Sequence, residues 1–451
     1  MKLVIIGGGS SGSEAALEAR KFDRNADITI IERQKYPQYS LCGLPYALSK
    51  DINSFDNLII FPKEFYEKQR IKLILNREIK EIDNQLKKVL LDDDSIIEYD
   101  SLIIATGAIP CNYKVNYKYP EGVYFIRTLD SAKELSNKID SSKKAIIYAY
   151  GWGCKVGCKG CISGRISLEM AYALKKRGLE VKIVSREARP LRQQIDLDMS
   201  ELIMEYMKEK GITIITDKSV ITVAGEDKVR GLMADNELID ADIIIMASGT
   251  VANNALAKNC GIEILKGIKT NSKLQTSIDN IYACGDCASI KYHFTGEFFS
   301  SSLGTNAVRG GKVAGINSVG GNLELDPLVN IVVMDFFDLK IGAFGLTEDD
   351  LIKKGKEYVK ARYKGKSRAE YYSGYKDIFI KILASMEGDI LGFQAVGEEG
   401  VFARTLAVGF AVQKGIRVNE LAKIENSYSP PLSPTIDPVQ ICAELLLKKL
   451  K

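Results

Sequence analysis

The feature that most limits how this chain can fold lies at its start. There Lys2-Leu3-Val4-Ile5-Ile6 runs into Gly7-Gly8-Gly9-Ser10-Ser11-Gly12. An aliphatic run that ends in a glycine cluster reads as a strand entering a tight turn, since glycine permits backbone angles and close approaches that other residues resist. An alanine-rich amphipathic stretch, Ser13 to Lys21, follows, and a second β-branched run, Asp27 to Ile31, ends on Glu32. This is a complete βαβ unit. In that setting Gly-x-Gly-x-x-Gly lets a pyrophosphate approach a helix N-terminus, and an acidic residue about 20 positions on accepts hydrogen bonds from an adenosine ribose. Gly7, Gly9, Ser10, Gly12, Glu32 and Arg33 are therefore expected to hold a dinucleotide, with Glu32 repelling a 2′-phosphate.

A comparable unit begins at Lys143, with a strand over Ala145 to Ala149, a helix over Ser167 to Gly178 and a strand over Glu180 to Val184. Between the two units lies Leu102-Ile103-Ile104-Ala105-Thr106-Gly107. A similar strand ends at Gly249, and Ile281 to Ala288 reads Ile-Tyr-Ala-Cys-Gly-Asp-Cys-Ala. The order predicts an α/β protein with two Rossmann-like dinucleotide-binding domains, the second inserted in the first. From about Leu323 the texture changes to antiparallel-looking strands and helices, predicting a C-terminal α+β domain. The expected boundaries are 1–112 with 248–322, then 113–247, then 323–451. A length of 451 residues suits about three domains.

Composition narrows the function classes. With 62 basic and 58 acidic residues, a net charge of +4 makes no electrostatic case for nucleic acid. No apolar run approaches the roughly 20 residues that cross a bilayer, and no leader-like segment precedes the first strand, so a cytoplasmic protein is expected. Nine cysteines in that compartment read as redox, metal-binding or buried thiols.

Two short segments decide which dinucleotide the first unit takes. Ala105-Thr106-Gly107 and Tyr282-Ala283-Cys284-Gly285-Asp286 resemble the ATG and YAxGD motifs of two-dinucleotide flavoproteins. The resemblance implies FAD, with Thr106, Gly107 and Gly285 at the cofactor and Asp286 on its ribitol chain. At Ser40-Leu41-Cys42-Gly43-Leu44-Pro45-Tyr46 the chain resembles the single-cysteine branch of the pyridine nucleotide-disulfide oxidoreductases. That branch includes coenzyme A-disulfide reductases, NADH oxidases and archaeal NAD(P)H sulfur reductases. Relatives with a redox disulfide carry a second cysteine five positions on, where this chain has Ala47. Cys42 would then cycle between a thiolate and a mixed disulfide, persulfide or sulfenate. A helix N-terminus after it is expected to lower its pKa.

Coenzyme A-disulfide reductases also resemble this chain at Tyr428-Ser429-Pro430-Pro431 and Tyr371-Tyr372. The resemblance implies that Tyr428 and Tyr372 of a partner subunit steady the departing thiolate, which requires a homodimer joined by the C-terminal domain. Core or interface packing is the other reading of both tyrosines. Arg20, Lys21 and Arg24 resemble the cluster those enzymes use for coenzyme A phosphates, and read equally well as a solvated helix face. The only histidine, His293, matches neither place where relatives keep a catalytic histidine.

The second unit departs from the family. Its strand runs into Tyr150-Gly151-Trp152-Gly153-Cys154-Lys155-Val156-Gly157-Cys158-Lys159-Gly160-Cys161 before Gly164 and Glu169 resume the expected pattern. Cys154, Cys158 and Cys161, spaced Cys-x3-Cys-x2-Cys, could ligate a [4Fe-4S] cluster, with the fourth position left open or filled from elsewhere, the candidates being Cys111, Cys260, Cys284 and Cys287. They could instead bind zinc, or act as free thiols that relay sulfur. The following strand ends on Ser185-Arg186, with Arg189 and Arg192 nearby, which favours NADPH over NADH if either binds.

The favoured activity is NAD(P)H-driven reduction of a small disulfide, polysulfide or persulfide, coenzyme A disulfide among them. An iron–sulfur flavoprotein with a ferredoxin-like partner is the first alternative, and an FAD-binding redox sensor or sulfur carrier the second. Metal analysis of anaerobically purified protein separates the readings of the insertion. Stoichiometric iron with acid-labile sulfide is the outcome for a cluster, zinc alone favours the second reading, and absence of both metals leaves free thiols.

Overall fold

The structure is a computed structural model that describes residues 1–111, 120–149, 163–218 and 221–450. Its first strand, Lys2–Ile6, stops where Gly7 turns with φ +104°. A Cβ there would stand 2.3 Å from the Ala105 carbonyl oxygen, and one on Gly12 would stand 1.9 Å from the Gly7 carbonyl oxygen. Only glycine fits both places, so the helix Ser10–Phe22 lies hard against the turn that launches it. Five parallel strands form the first sheet in the order Ile281–Ala283, Ser101–Ile104, Lys2–Ile6, Asp27–Glu32, Ile71–Leu75. The helix Gly304–Ser318 packs on the first helix almost backbone to backbone. A Cβ on Gly311 would come within 2.3 Å of the Ser11 carbonyl oxygen, and one on Gly315 within 2.2 Å of that of Ala15.

The chain leaves this sheet through Ala108–Pro110 and returns through Thr250–Ala252, which pair antiparallel as a two-stranded ribbon. Between them a second parallel sheet runs Thr213–Ile215, Glu180–Ser185, Lys144–Ala149, Ile243–Met246, Val123–Tyr124. The helix Ser163–Lys176 packs on it. The protein is thus α/β with one nucleotide-type unit threaded through another, followed by an antiparallel sheet. That last sheet runs Val332–Phe336, Leu339–Gly345, Ile390–Gly397, Asp377–Ala384, Val359–Lys366, and the helices Val401–Gln413 and Pro438–Leu450 pack against it.

One apolar cluster joins all three parts. Leu44, Leu48 and Leu58, from the segment around Cys42, pack in the same core as Leu168 and Ala171 of the helix Ser163–Lys176 and Met334 and Phe336 of the last sheet. A polar pin reinforces the join. Lys381 is 1% exposed, and its Nζ lies 3.1 Å from Asp196, 2.6 Å from Asp198 and 2.5 Å from Glu348. Gln394 Nε2 and the Glu348 backbone N–H both donate to Asp196 at 2.8 Å. A buried ammonium is tolerable only with such partners, and removing it takes their shared cation from three carboxylates. Lys381→Ala is expected to cost about 3–5 kcal/mol, seen as a lowered thermal midpoint. A wild-type midpoint would show that the pin is not needed.

Candidate active site

The glycine turn opens onto a cleft lined by Gly7, Gly9, Glu32, Arg33, Thr106 and Gly107, with Leu41 and Arg127 on its wall. A Cβ on Gly9 would meet nothing within 4 Å, so backbone can be approached there without obstruction. Glu32 is held in place by backbone donors, Gly8 N at 2.7 Å and Gln34 N at 2.9 Å, one to each carboxylate oxygen. Each oxygen keeps acceptor capacity for a ribose. Thr106 Oγ1 donates to the Asn253 carbonyl at 2.6 Å and Asn253 N donates to the Gly107 carbonyl at 2.9 Å, fixing the crossing point of the chain above the cleft. Ser10 begins the first helix. Gly285 turns with φ +77°, and a Cβ on it would meet Ser11 Oγ at 2.4 Å. Asp286 therefore sits at the head of the first helix, where Arg127 Nη2 donates to its Oδ2 at 3.2 Å. Burial raises the Asp286 carboxyl above its ordinary pKa, and Arg127 opposes the rise. These residues fit FAD: an open glycine edge for a pyrophosphate, a ribose acceptor at Glu32 and a second polar anchor at Asp286.

Cys42 lies in the single turn Leu41–Gly43, which Ser40 caps by accepting from Gly43 N at 3.2 Å. A Cβ on Gly43 would strike Leu58 at 2.4 Å, so the glycine after the cysteine lets this turn press onto its neighbour. The helix that follows, Leu44–Leu48, is one short turn. Cys42 is reached by solvent in the single chain, and its thiol is free. Contrary to the expected lowering, its pKa is raised, by desolvation first and then by the nearby Glu169 carboxylate, with Arg165 and Arg127 pulling it back. A five-residue helix has little dipole to offer, and the crowded walls outweigh it.

Glu169 arrives on the helix Ser163–Lys176, whose packing against Leu44–Leu48 brings it to the cysteine. Desolvation lifts its carboxyl from 4.5 to about 7, Arg165 opposing. Arg165 donates to the Ser302 carbonyl at 3.4 Å, and its Nε is buried with no hydrogen-bond partner among the described residues. Tyr46, the last residue of the Ser40–Tyr46 segment, belongs to this constellation, and it is joined there by Arg127 and Arg165, which escaped sequence reasoning. Their partners lie far away along the chain, and no local motif marks them.

Several expectations change. Arg20 is buried, and its guanidinium donates to the backbone carbonyls of Gln69, Arg70 and Arg24, while Lys21 pairs with Glu18. Arg20 is thus a strut between segments rather than an open phosphate ligand. Arg189 and Arg192 both bind Asp349, at 3.1 and 3.0 Å, and Arg192 also binds Glu187. To meet a 2′-phosphate, Arg189 or Arg192 would have to give up one of these ion pairs. Tyr428 shares a short hydroxyl–hydroxyl hydrogen bond with Tyr371, whereas Tyr372 lies under the Arg368 guanidinium at 5.8 Å. All three tyrosines are exposed in the single chain. Cys284 and Cys287 are fully buried free thiols, with Cys287 donating to the carbonyls of Ile104 and Cys284, and burial raises both pKa values. Gly164 is buried in the first turn of its helix. Trp152, Cys154, Cys158 and Cys161 lie outside the described residues. Among the described residues no helix is long and apolar enough to cross a membrane.

Comparison with known proteins matches residues 1–311 to the pyridine nucleotide-disulphide oxidoreductase family and residues 331–438 to that family's dimerisation domain. The chain belongs to this family. It is accordingly an FAD-dependent NAD(P)H oxidoreductase. A protein of Methanocaldococcus jannaschii named NADH oxidase is 37% identical, the alignment covering 100% of this chain and 99% of the relative. A Pyrococcus abyssi protein named CoA-dependent NAD(P)H sulfur oxidoreductase is 30% identical over 98% of both chains. Among solved structures, a NAD-dependent persulfide reductase from A. fulgidus superposes with a TM-score of 0.93 at 28% identity, covering 100% of this chain and 83% of that one.

The electrostatic influence of Glu169 on Cys42 has a pH signature. Glu169 is neutral below about pH 7 and charged above it, and its charge disfavours the Cys42 thiolate. In Glu169→Gln the alkylation rate of Cys42 should therefore reach its half-maximum at lower pH than in the parent. A midpoint that stays in place or moves upward would contradict the coupling.

Proposed function

We propose that this protein reduces a small disulfide, polysulfide or persulfide, coenzyme A disulfide among them, through Cys42 with NAD(P)H as donor. The observation that carries this reading is one free thiol, with Ala47 where a resolving cysteine would stand, in a turn whose Leu41 lines the same cleft as the glycine motif. The names of the Pyrococcus abyssi and A. fulgidus proteins point to the same substrate class. FAD, when bound, supplies two-electron transfer between a nicotinamide and sulfur.

The residues of the chain divide the remaining work. The Cys42 thiolate attacks one sulfur of the substrate's S–S bond. A Cys42–sulfur bond forms, the S–S bond breaks, and the other sulfur leaves as a thiolate or sulfide. Two electrons originating from NAD(P)H then cleave the mixed disulfide or persulfide, returning the Cys42 thiolate and releasing the second sulfur fragment. Protons come from solvent and from groups near the thiol, of which Glu169 is the one poised near neutrality. Arg165 and Arg127 stabilise negative charge on sulfur as it develops. Gly164 and Arg186, at the helix start and strand end of the second unit, are the candidate holders of NAD(P)H, and Arg186 favours the 2′-phosphorylated form.

The matched dimerisation domain supports a homodimer. In it Tyr428, with Tyr371 bonded to it, would approach the partner's cleft. For Cys42→Ser the expected result is normal FAD content with disulfide and polysulfide reduction abolished. The serine preserves packing and lacks an accessible anion. Undiminished sulfur reduction by that variant would remove Cys42 from the reaction.

A further inference from the structure

The segment after Cys42 is fastened to the helix Ser163–Lys176 at a second point, remote from the glycine turn. Asp51 Oδ2 accepts from Tyr172 Oη at 2.8 Å and from Ser49 Oγ at 2.5 Å, while Oδ1 binds Lys176 Nζ. Beside it Arg177 Nη1 donates to the Leu48 carbonyl at 2.8 Å, satisfying the end of the short helix that begins after Cys42. The Tyr172 ring is wedged between two parts of the fold. Its centroid lies 6.4 Å from that of Tyr46, four residues beyond the cysteine, and 5.0 Å from that of Phe337 in the turn between the first two strands of the antiparallel sheet, edge-on at 84°. The Asp51 backbone N–H in turn bonds the Tyr46 carbonyl at 2.9 Å. Tyr172 thus touches the cysteine segment twice, through its ring and through its hydroxyl.

We propose that Asp51 and Tyr172 form a latch that positions Cys42 by locking its helix to the helix that begins at the nicotinamide-binding end of the second unit. The helix Ser163–Lys176 carries Glu169 near the thiol in its middle, Gly164 at its start and the latch at its end. A rigid rod fixed at the latch sets the approach of its other residues to Cys42. Released, it lets Tyr46 and the short helix shift, and the thiol with them. The latch is a positioning device, since neither residue is placed at reacting atoms, and it rests on the reading that Cys42 is the redox sulfur.

Tyr172→Phe and Asp51→Ala, made in the FAD-loaded protein, test it. Tyr172→Phe keeps the ring packing and loses only the hydroxyl, and Asp51 is at the surface, so Asp51→Ala, which removes the acceptor, serves if the first variant is unstable. With FAD content matching the parent, each should weaken the long-wavelength thiolate–flavin absorbance of the reduced enzyme. Each should also lower kcat by roughly tenfold or more, as misplacement of a reacting group does, with KM for NAD(P)H little changed. Because both variants cut the same hydrogen bond, the double variant should be no worse than the poorer single. Parental absorbance and kcat in both singles, or a double whose loss equals the product of the singles, would overturn the latch. Cys42→Ser run alongside must lack the absorbance. If it keeps the band, the assignment of Cys42 fails, and the latch fails with it.

Discussion

Two backbone approaches that only glycine allows underlie everything else in this structure. Gly12 lies against the Gly7 carbonyl, and Gly311 and Gly315 let a second helix lie along the first. These contacts set the Gly285–Asp286 turn against Ser11 at the start of the first helix and leave a cleft between the Gly7–Gly9 turn and the Thr106–Gly107 crossing. A side chain at any of these glycines would lift the helix off the sheet and open the cradle. The proposed cofactor site is therefore a consequence of how closely backbones pack, and the carboxylates assigned to it, Glu32 and Asp286, are oriented by that packing.

The proposed chemistry rests on the opposite circumstance, crowding of charge. Cys42 shares its surroundings with two carboxylates, Glu169 and Asp286, and two guanidiniums, Arg165 and Arg127. The thiol pKa is raised rather than lowered in this balance. The sulfur is thus sensitive to what else enters the cleft and to whether Glu169 is charged. A thiol governed this way differs from one activated by a helix dipole. Its reactivity depends on how three parts of the chain are held together, by the shared apolar core, by the Lys381 pin and by the contacts of Tyr172.

What was legible in the sequence was local. The glycine turn, Glu32, the Thr106 and Asp286 motifs and the inserted second unit each announce themselves within a few residues, because turns and βαβ units are specified by short patterns. Cys42 could be singled out only because the residues around it resemble a known family. What was illegible depends on distant partners. Arg127 acquires its meaning from Asp286, and Lys381 from Asp196 and Glu348. Arg20, Arg189 and Arg192 were readable as phosphate ligands until their carbonyl and carboxylate partners appeared. A basic side chain looks the same in sequence whether it waits for a ligand or already has one. Tyr371 rather than Tyr372 meeting Tyr428 is a matter of which neighbour faces which loop, and the spacing of two adjacent tyrosines carries no such information.

The central claim is that electrons reach sulfur at Cys42 beside the flavin. An experimental structure of the FAD-loaded dimer measures it most directly, through the separation of the Cys42 Sγ from the isoalloxazine ring. The account predicts contact, about 3–4 Å, the range from which reacting atoms proceed. A sulfur held well beyond contact, with the ring turned toward another residue, would contradict it.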